Sequence, residues 1–121
     1  MKKILLIEDE SILGETLLDV LEMRDFEVSW VKSIKELNVE LEKRVNYDLI
    51  CSDFHLPDGT LVDVRHRLKS CQLVDKIPVL VMSATASEED RSFINDNFNY
   101  VLPKPFMISE LEEVINSIIH D

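Results

Sequence analysis

Three carboxylates and one lysine follow short apolar runs of this sequence, and together they could support phosphoryl transfer. Glu8 and Asp9 come directly after Ile4–Ile7, Asp53 follows a second apolar run, and Lys104 lies beyond another. A carboxylate can attack phosphorus as a nucleophile and form an aspartyl phosphate. Because the incoming phosphoryl group is anionic, a lysine beside it would stabilise the product as a point charge.

The same carboxylates predict a bound cation. If Glu8, Asp9 and Asp53 lie close together, their charges repel one another unless a cation neutralises them. Hard oxygen ligands at this density suit Mg²⁺, which keeps several waters and takes one or two carboxylates. Ser83 adds a hydroxyl that could donate a hydrogen bond to a phosphoryl oxygen. His55 is weak evidence for a zinc site, since it has no histidine or cysteine neighbour.

Each of these residues also has an ordinary structural explanation. Asp53 could end a strand or cap the turn Leu56–Gly59, and Ser83 could cap a helix. Lys104 could be exposed to solvent, as most lysines are. Trp30 is the only tryptophan, and the sequence shows no partner that suggests a binding role for it.

The elements that must position these residues alternate between strands and helices. Apolar runs predict five strands: residues 4–7, 26–31, 48–52, 77–82 and 100–102. Helical spacing and capping signals predict five helices: residues 11–24, one opened by the capping box Ser33–Glu36, residues 60–70, one that starts at Ser87, and one that buries Ile108, Leu111, Ile115 and Ile118.

This alternation predicts a parallel sheet with helices on both faces. The carboxyl ends of parallel strands meet at one edge of the sheet. The five candidate residues should therefore converge there: Glu8, Asp9, Asp53, Ser83 and Lys104.

Length and composition narrow the possible functions. The 121 residues have the size of one domain, so we expect a single domain over 1–121. A net charge of -11 argues against a direct nucleic-acid or anionic-membrane surface. Two glycines leave no glycine-rich loop to cradle a nucleotide phosphate. Two cysteines give no disulfide framework. No apolar run is long enough for a signal peptide or a membrane span. The expected location is therefore cytoplasmic.

Four motifs in this order resemble those of the receiver domains of two-component response regulators. They are Glu8-Asp9, Asp53-x-x-Leu56-Pro57-x-Gly59, Ser83-Ala84 and Lys104-Pro105-Phe106. The resemblance covers the whole chain. It implies a flavodoxin-like (βα)5 fold, with a central parallel five-stranded sheet of order 2-1-3-4-5 and helices on both faces. It also implies a cis peptide bond between Lys104 and Pro105.

By this resemblance Asp53 is the phosphoacceptor, Ser83 is the switch hydroxyl and Lys104 pairs with the phosphate. Asp9, Asp53 and the backbone carbonyl of His55 bind Mg²⁺, and Glu8 acts mostly through water.

The resemblance also implies partners in a phosphorelay. The phosphodonor is a sensor histidine kinase or a histidine phosphotransfer protein, and the phosphorylated domain switches a downstream protein target or a fused output domain. Such a domain catalyses only its own phosphorylation and dephosphorylation, so it is a switch in signal transduction rather than a turnover enzyme.

Val101 departs from the family pattern. Receivers usually carry Tyr or Phe three positions before the lysine, and the ring rotates on phosphorylation. Valine is stiff at χ1 and has no ring, while Tyr100 is expected on the opposite face of the strand. We therefore expect Ser83, the loop 84–86 and the start of the fourth helix to respond instead.

Two rival functions remain open. A phosphotransferase of the haloacid dehalogenase type also uses an Asp nucleophile and Mg²⁺, but it carries a second Asp where this chain has His55. A phosphorylation-independent interaction module with the receiver fold is favoured by Val101. The complete set of Asp9, Asp53, Ser83 and Lys104 argues against that module.

Overall fold

The computed structural model describes residues 1–84 and 87–119. Strands and helices alternate as predicted, and each main strand begins and ends within two residues of its predicted limits. The elements in chain order are β1 (Lys3–Ile7), α1 (Ser11–Met23), β2 (Glu27–Val31), α2 (Ile34–Glu42), β3 (Leu49–Asp53), β4 (His55–Leu56), β5 (Gly59–Thr60), α3 (Leu61–Ser70), β6 (Val79–Ser83), α4 (Glu88–Asn97), β7 (Tyr100–Pro103) and α5 (Ile108–Ile118).

Five strands form one parallel sheet in the order β2-β1-β3-β6-β7. This confirms the predicted order, because β6 and β7 are the fourth and fifth predicted strands. The remaining strands, β4 and β5, form an antiparallel hairpin of two residues each around Pro57 and Asp58. Strands this short carry no alternating pattern, so the sequence indicated only the turn.

The central strands are buried on both faces, which explains their unbroken apolar runs. Alternate side chains enter two separate cores. One core lies beneath α1 and α5 and includes Leu6, Cys51, Leu17 and Leu111. The other lies beneath α2, α3 and α4 and includes Leu5, Leu37, Leu61 and Ile94. Among the described residues, no helix is long and apolar enough to cross a membrane.

Ser33 caps α2 as predicted, but the capping box is only half formed. The Ser33 hydroxyl accepts a hydrogen bond from the Glu36 N–H at 3.1 Å. The Glu36 carboxylate reaches the N–H of Lys32 at 3.0 Å, one residue before the cap. The start of α2 therefore also holds the end of β2 in place.

The turn after Asp53 is attached to the same helix. The Asp58 carboxylate accepts hydrogen bonds from the N–H groups of Ile34 at 2.8 Å and Lys35 at 3.0 Å. Its pKa is lowered because these donors, Ile34 first, favour the ionised form. The β4–β5 hairpin is therefore fixed to the first turn of α2.

The fourth predicted strand begins two residues late. Pro78 has no N–H, so it cannot donate to the ladder, and β6 begins at Val79. The Pro78 carbonyl still accepts a hydrogen bond from the N–H of Ile50 at 3.0 Å. The proline therefore sets where the strand begins without breaking its pairing with β3.

A buried carboxylate lies far from the predicted site. Glu40 accepts hydrogen bonds from the Tyr47 hydroxyl and from the Lys43 ammonium group, the latter at 3.1 Å. Burial raises the pKa of Glu40, but these donors outweigh burial, and the pKa lies below its ordinary value of 4.5. Burial and the neighbouring Glu40 raise the pKa of Tyr47, so the phenol stays protonated. The pair therefore joins the end of α2 to the segment before β3.

We expect Tyr47→Phe to lower the free energy of unfolding by about 1–3 kcal/mol at neutral pH, since it removes a buried hydrogen bond to a charged group. A lowered folded-state pKa stabilises the protein above the unfolded pKa, and this stability is lost as pH falls through the folded pKa. The deficit should therefore shrink below pH 4.5, the ordinary pKa of Glu40. Urea unfolding at neutral pH and again below pH 4.5 measures the deficit in the free energy of unfolding. The exposed Tyr100→Phe is the control. An equal deficit at both values would contradict the assignment.

Candidate functional site

The carboxyl edge of the sheet brings all five candidate residues together. Glu8 and Asp9 follow β1, Ser83 is the last residue of β6, and Lys104 follows β7. Asp53 is the last residue of β3 and pairs with Met82 of β6, so it lies inside the strand rather than just after it. The predicted gathering of loop residues at one edge is present.

The three carboxylates form a compact group. One oxygen each of Glu8, Asp9 and Asp53 lies within 4.8 Å of the others. Glu8 is completely buried, and Asp53 is 9% exposed. The backbone orients two of them, since the Glu10 N–H donates to Glu8 Oε2 at 3.1 Å and the Phe54 N–H donates to Asp53 Oδ1 at 2.8 Å.

Lys104 points into this group and is not a solvent-exposed lysine. Its Nζ lies 2.8 Å from Glu8 Oε1, 3.2 Å from Asp53 Oδ2 and 3.9 Å from Glu10 Oε2. Its side chain is only 13% exposed. The predicted cis Lys104–Pro105 bond is confirmed. The Lys104 N–H donates to the Ser83 carbonyl at 2.7 Å, which joins the ends of β6 and β7.

Burial and the neighbouring charges perturb two pKa values at the site. Burial raises the pKa of Glu8 to about 7, and the charge of Asp53 adds to this, while Lys104 and the Glu10 N–H oppose it. Burial alone would lower the pKa of Lys104, but the hydrogen bond to Glu8 and the charges of Asp53 and Glu8 raise it. The lysine therefore keeps its positive charge, and it partly offsets the repulsion between Glu8 and Asp53.

Ser83 is buried at the end of β6. It borders a cavity of about 160 Å³ that α4 and β7 also line, with Ile94 and Val101 among its walls. Val101 is 39% exposed and Tyr100 is 37% exposed. Two residues of the loop predicted to respond to phosphate, Thr85 and Ala86, lie outside the described residues, as does His120.

His55 lies two residues beyond Asp53, at the start of the hairpin. Its side chain is exposed and meets the Phe54 ring edge-on, with the ring centroids 4.8 Å apart. Among the described residues, the side chains placed to hold an ion are the three carboxylates, and the His55 ring is not one of them. The zinc alternative therefore has no support from these residues, and the backbone carbonyl of His55 stays a predicted ligand.

Sequence reasoning missed Trp30, for which it found no partner. The indole Nε1–H donates a hydrogen bond to the backbone carbonyl of Glu8 at 2.8 Å. The structure therefore gives Trp30 a partner beside the site that the sequence did not indicate. A signal was present in hindsight, because the residue lies one position before the end of β2 and β2 pairs with β1.

The arrangement suits a hard divalent cation and a phosphoryl group. Carboxylate oxygens are the ligands that Mg²⁺ prefers. A carboxylate beside a lysine ammonium group can act as a nucleophile toward phosphorus, and the ammonium group can stabilise the anionic product.

Residues 4–116 match the protein family described as the response regulator receiver domain. The cell cycle response regulator CtrA of Brucella ovis is 31% identical to the chain over 121 residues, covering 97% of the chain and 50% of that protein. CtrA of Brucella anthropi matches with the same identity and coverage. The chain thus spans half the length of the curated relatives it matches.

Solved structures share the fold. The non-phosphorylated HemR receiver domain of Leptospira biflexa superposes with a TM-score of 0.86 at 30% identity, covering 98% of this chain and 94% of that one. The receiver domain of sensor histidine kinase PA1611 of Pseudomonas aeruginosa superposes with a TM-score of 0.82 at 24% identity, covering 97% and 96%. That structure holds a magnesium ion coordinated in its active-site cleft.

Proposed function

The chain belongs to the response regulator receiver domain family of two-component signalling, and from this premise we propose that it accepts a phosphoryl group on Asp53 in a Mg²⁺-dependent reaction. The observation that carries the proposal is the contact of Lys104 Nζ with both Asp53 and Glu8, at 3.2 and 2.8 Å. A lysine held beside the acceptor carboxylate can stabilise an aspartyl phosphate as soon as it forms.

We assign the metal ligands from the donor set. Asp9, Asp53 and the backbone carbonyl of His55 would hold Mg²⁺, and Glu8 would act mostly through water. Three carboxylates within 4.8 Å are the chemistry that this cation prefers. When bound, Mg²⁺ neutralises charge on the carboxylates and on the phosphoryl oxygens.

The reaction itself is a displacement at phosphorus. A carboxylate oxygen of Asp53 attacks the phosphorus of a phosphohistidine, a new O–P bond forms, and the N–P bond breaks with its electrons passing to the imidazole. The Lys104 ammonium group, which contacts the Asp53 carboxylate in the structure, then donates to an oxygen of the new phosphoryl group. The Ser83 hydroxyl, at the end of the neighbouring strand, donates to another phosphoryl oxygen. The domain returns to its resting state when water cleaves the acyl phosphate.

Incubation with acetyl phosphate and MgCl₂ tests this proposal without a kinase. We expect the intact mass to rise by one phosphate, because small acyl phosphates can replace the protein donor. EDTA should prevent the gain, since the carboxylates then keep their mutual repulsion. Labelling that is unchanged by EDTA would contradict the metal dependence.

We propose a sensor histidine kinase or a histidine phosphotransfer protein as the donor. A donor must reach Asp53 from the carboxyl edge of the sheet. Beside Lys104 that edge carries a cavity of about 390 Å³ lined partly by Leu13, Phe106 and Ile108. Ile12 and Met107 are exposed apolar side chains next in sequence to these lining residues. An apolar rim of this kind supports docking of a protein rather than of a free small molecule.

We propose the receiver over 1–121 as one domain, acting on a downstream protein target or on a fused output domain. The net charge of -11 does not favour direct contact with nucleic acid or an anionic membrane. The free cysteines Cys51 and Cys71 suit a reducing, cytoplasmic location. We propose no catalytic turnover beyond phosphorylation and dephosphorylation of the domain itself.

The rival functions have less support. Membership in the receiver family does not favour a phosphotransferase of the haloacid dehalogenase type, which would need a second Asp where His55 lies. A phosphorylation-independent module would not require Lys104 to contact Asp53. The one observation that favours such a module is Val101 at the position where receivers usually carry an aromatic residue. That position concerns how phosphorylation is transmitted to a partner, and it does not concern the phosphorylation chemistry.

We expect phosphorylation to shift Ser83 and the start of α4 without burying Tyr100. Val101 has no ring to rotate, and Tyr100, at 37% exposure, lies on the other face of β7. Any switch requires that the phosphoryl group interact differently with the two states, and here that difference should arise at Ser83. NMR spectra with and without beryllofluoride, a phosphoryl mimic, measure both regions. A Tyr100 ring that moves from exposed to buried would contradict this expectation.

A further inference from the structure

Two residues of β2 hold the backbone of Glu8, one at its carbonyl and one at its N–H. Its carbonyl accepts the Trp30 indole N–H at 2.8 Å, and its N–H donates to the Val31 carbonyl at 3.0 Å. Glu8 follows β1 directly, and its N–H continues the hydrogen-bond ladder of the parallel β1–β2 pair, in which Ile7 lies opposite Val31. The Trp30 bond comes from a side chain, and it therefore depends on the ring lying in one orientation.

Gly14 allows the ring to adopt that orientation. A Cβ atom at position 14 would lie 2.0 Å from Cζ2 of Trp30, so the indole ring lies directly against the backbone of α1. Lys32 places its Nζ 4.6 Å from the centroid of the ring, a cation–π distance. Helix α1 and the Lys32 ammonium group therefore both contact the ring whose N–H reaches Glu8.

The residue fixed in this way begins an acidic turn. Glu8 and Asp9 supply two of the three clustered carboxylates, and the Gly14 N–H donates to the Glu10 carbonyl at 2.8 Å. Like charges this close push the turn apart. The direction of each carboxylate depends on the backbone beneath it, so a donor on the Glu8 carbonyl resists that repulsion. Partners outside the ligand shell often set metal affinity in this manner.

We propose that Trp30 is a positioning residue for the divalent-cation site: its indole N–H, seated on Gly14, fixes the Glu8 carbonyl so that Glu8 and Asp9 present their carboxylates to the ion. The inference rests on the proposed function, because it assumes that the acidic group binds Mg²⁺. A residue that only fills space would affect the stability of the domain and leave its Mg²⁺ affinity unchanged.

The decisive variant replaces Trp30 with β-(3-benzothienyl)alanine, which keeps the bicyclic ring and exchanges the N–H for sulfur. Trp30→Phe removes the same donor by ordinary mutagenesis. Gly14→Ala displaces the ring while leaving the tryptophan in the chain. Lys35→Gln is the matched control, because it removes one positive charge from an exposed side chain and keeps both the ring and its N–H bond to Glu8.

The measurement is the dissociation constant of Mg²⁺, obtained from amide NMR shifts of Asp9 and Asp53 during titration with MgCl₂. We expect affinity to fall about tenfold or more in the three test variants, the usual effect of losing an outer-shell partner. Lys35→Gln should bind as the wild type does. Urea unfolding of each variant, run in parallel, separates positioning from a general loss of stability.

Equal Mg²⁺ affinity in the benzothienyl variant and the wild type would overturn the proposal, whatever the change in stability. If Trp30→Phe does not fold, Gly14→Ala and the isosteric variant still decide the question. Labelling of the wild type by acetyl phosphate tests the proposed function separately. A labelled wild type with unchanged Mg²⁺ affinity in the variants would sink only the role of Trp30.

Discussion

Asp53→Asn is expected to abolish incorporation of phosphate from acetyl phosphate. The amide that replaces the carboxylate is a poor nucleophile, and Glu8 is completely buried and bound to Lys104, so it cannot replace Asp53 as the acceptor. Intact mass spectrometry after incubation with MgCl₂ measures the result. The substitution removes one of three clustered negative charges, so the variant should fold at least as stably as the wild type.

The matched control is Asp75→Asn, on an exposed residue outside every helix and strand. It changes the net charge by the same amount and should be labelled as the wild type is. Labelling of Asp53→Asn at the wild-type rate would refute the assignment of the phosphoacceptor. Loss of labelling in the control as well would point to a general effect of charge.

Lys104→Met should destabilise the metal-free domain by about 3 kcal/mol, because it removes the partner of a completely buried carboxylate, which must then stay charged without compensation or take up a proton. Lys104 now bonds Glu8 at 2.8 Å and Asp53 at 3.2 Å. Urea unfolding in EDTA measures the loss. Added Mg²⁺ should narrow the difference from the wild type, because the cation replaces the lost positive charge beside the three carboxylates and so stabilises the folded variant more than the folded wild type.

Lys76→Met is the control for this substitution, since Lys76 is exposed and should change stability by no more than about 0.5 kcal/mol. Equal stability of the two variants in EDTA would show that the Lys104 contacts contribute nothing net. Failure of Mg²⁺ to restore the Lys104 variant would argue that the cation binds elsewhere.

The sheet and the edge that carries the candidate site could be predicted because they follow from local patterns. Runs such as Ile4–Ile7 are apolar throughout because both faces of their strands are buried. Strands that alternate with helices leave few topologies, and those topologies place Asp53 and Lys104 at one edge. The position of the acidic and basic residues at the strand ends then supplied the candidate site.

Features that depend on contacts between distant residues could not be predicted in this way. The Trp30 indole donates a hydrogen bond to a carbonyl 22 positions away in the sequence. No local pattern around Gly14 indicates that an aromatic ring packs against it. Glu40 and Tyr47 were passed over because a glutamate in a helix is ordinarily exposed. Only the fold brings the Tyr47 hydroxyl next to the Glu40 carboxylate.

The central claim is that phosphate bonds to Asp53, and the chemistry of the acyl phosphate allows a direct test. Borohydride reduces an aspartyl phosphate to homoserine, which remains in the chain at the modified position. After labelling with acetyl phosphate and MgCl₂, reduction and proteolysis, tandem mass spectrometry should find homoserine at position 53, and aspartate should remain at position 9. Homoserine at position 9, or a labelled protein with aspartate intact at position 53, would contradict the claim.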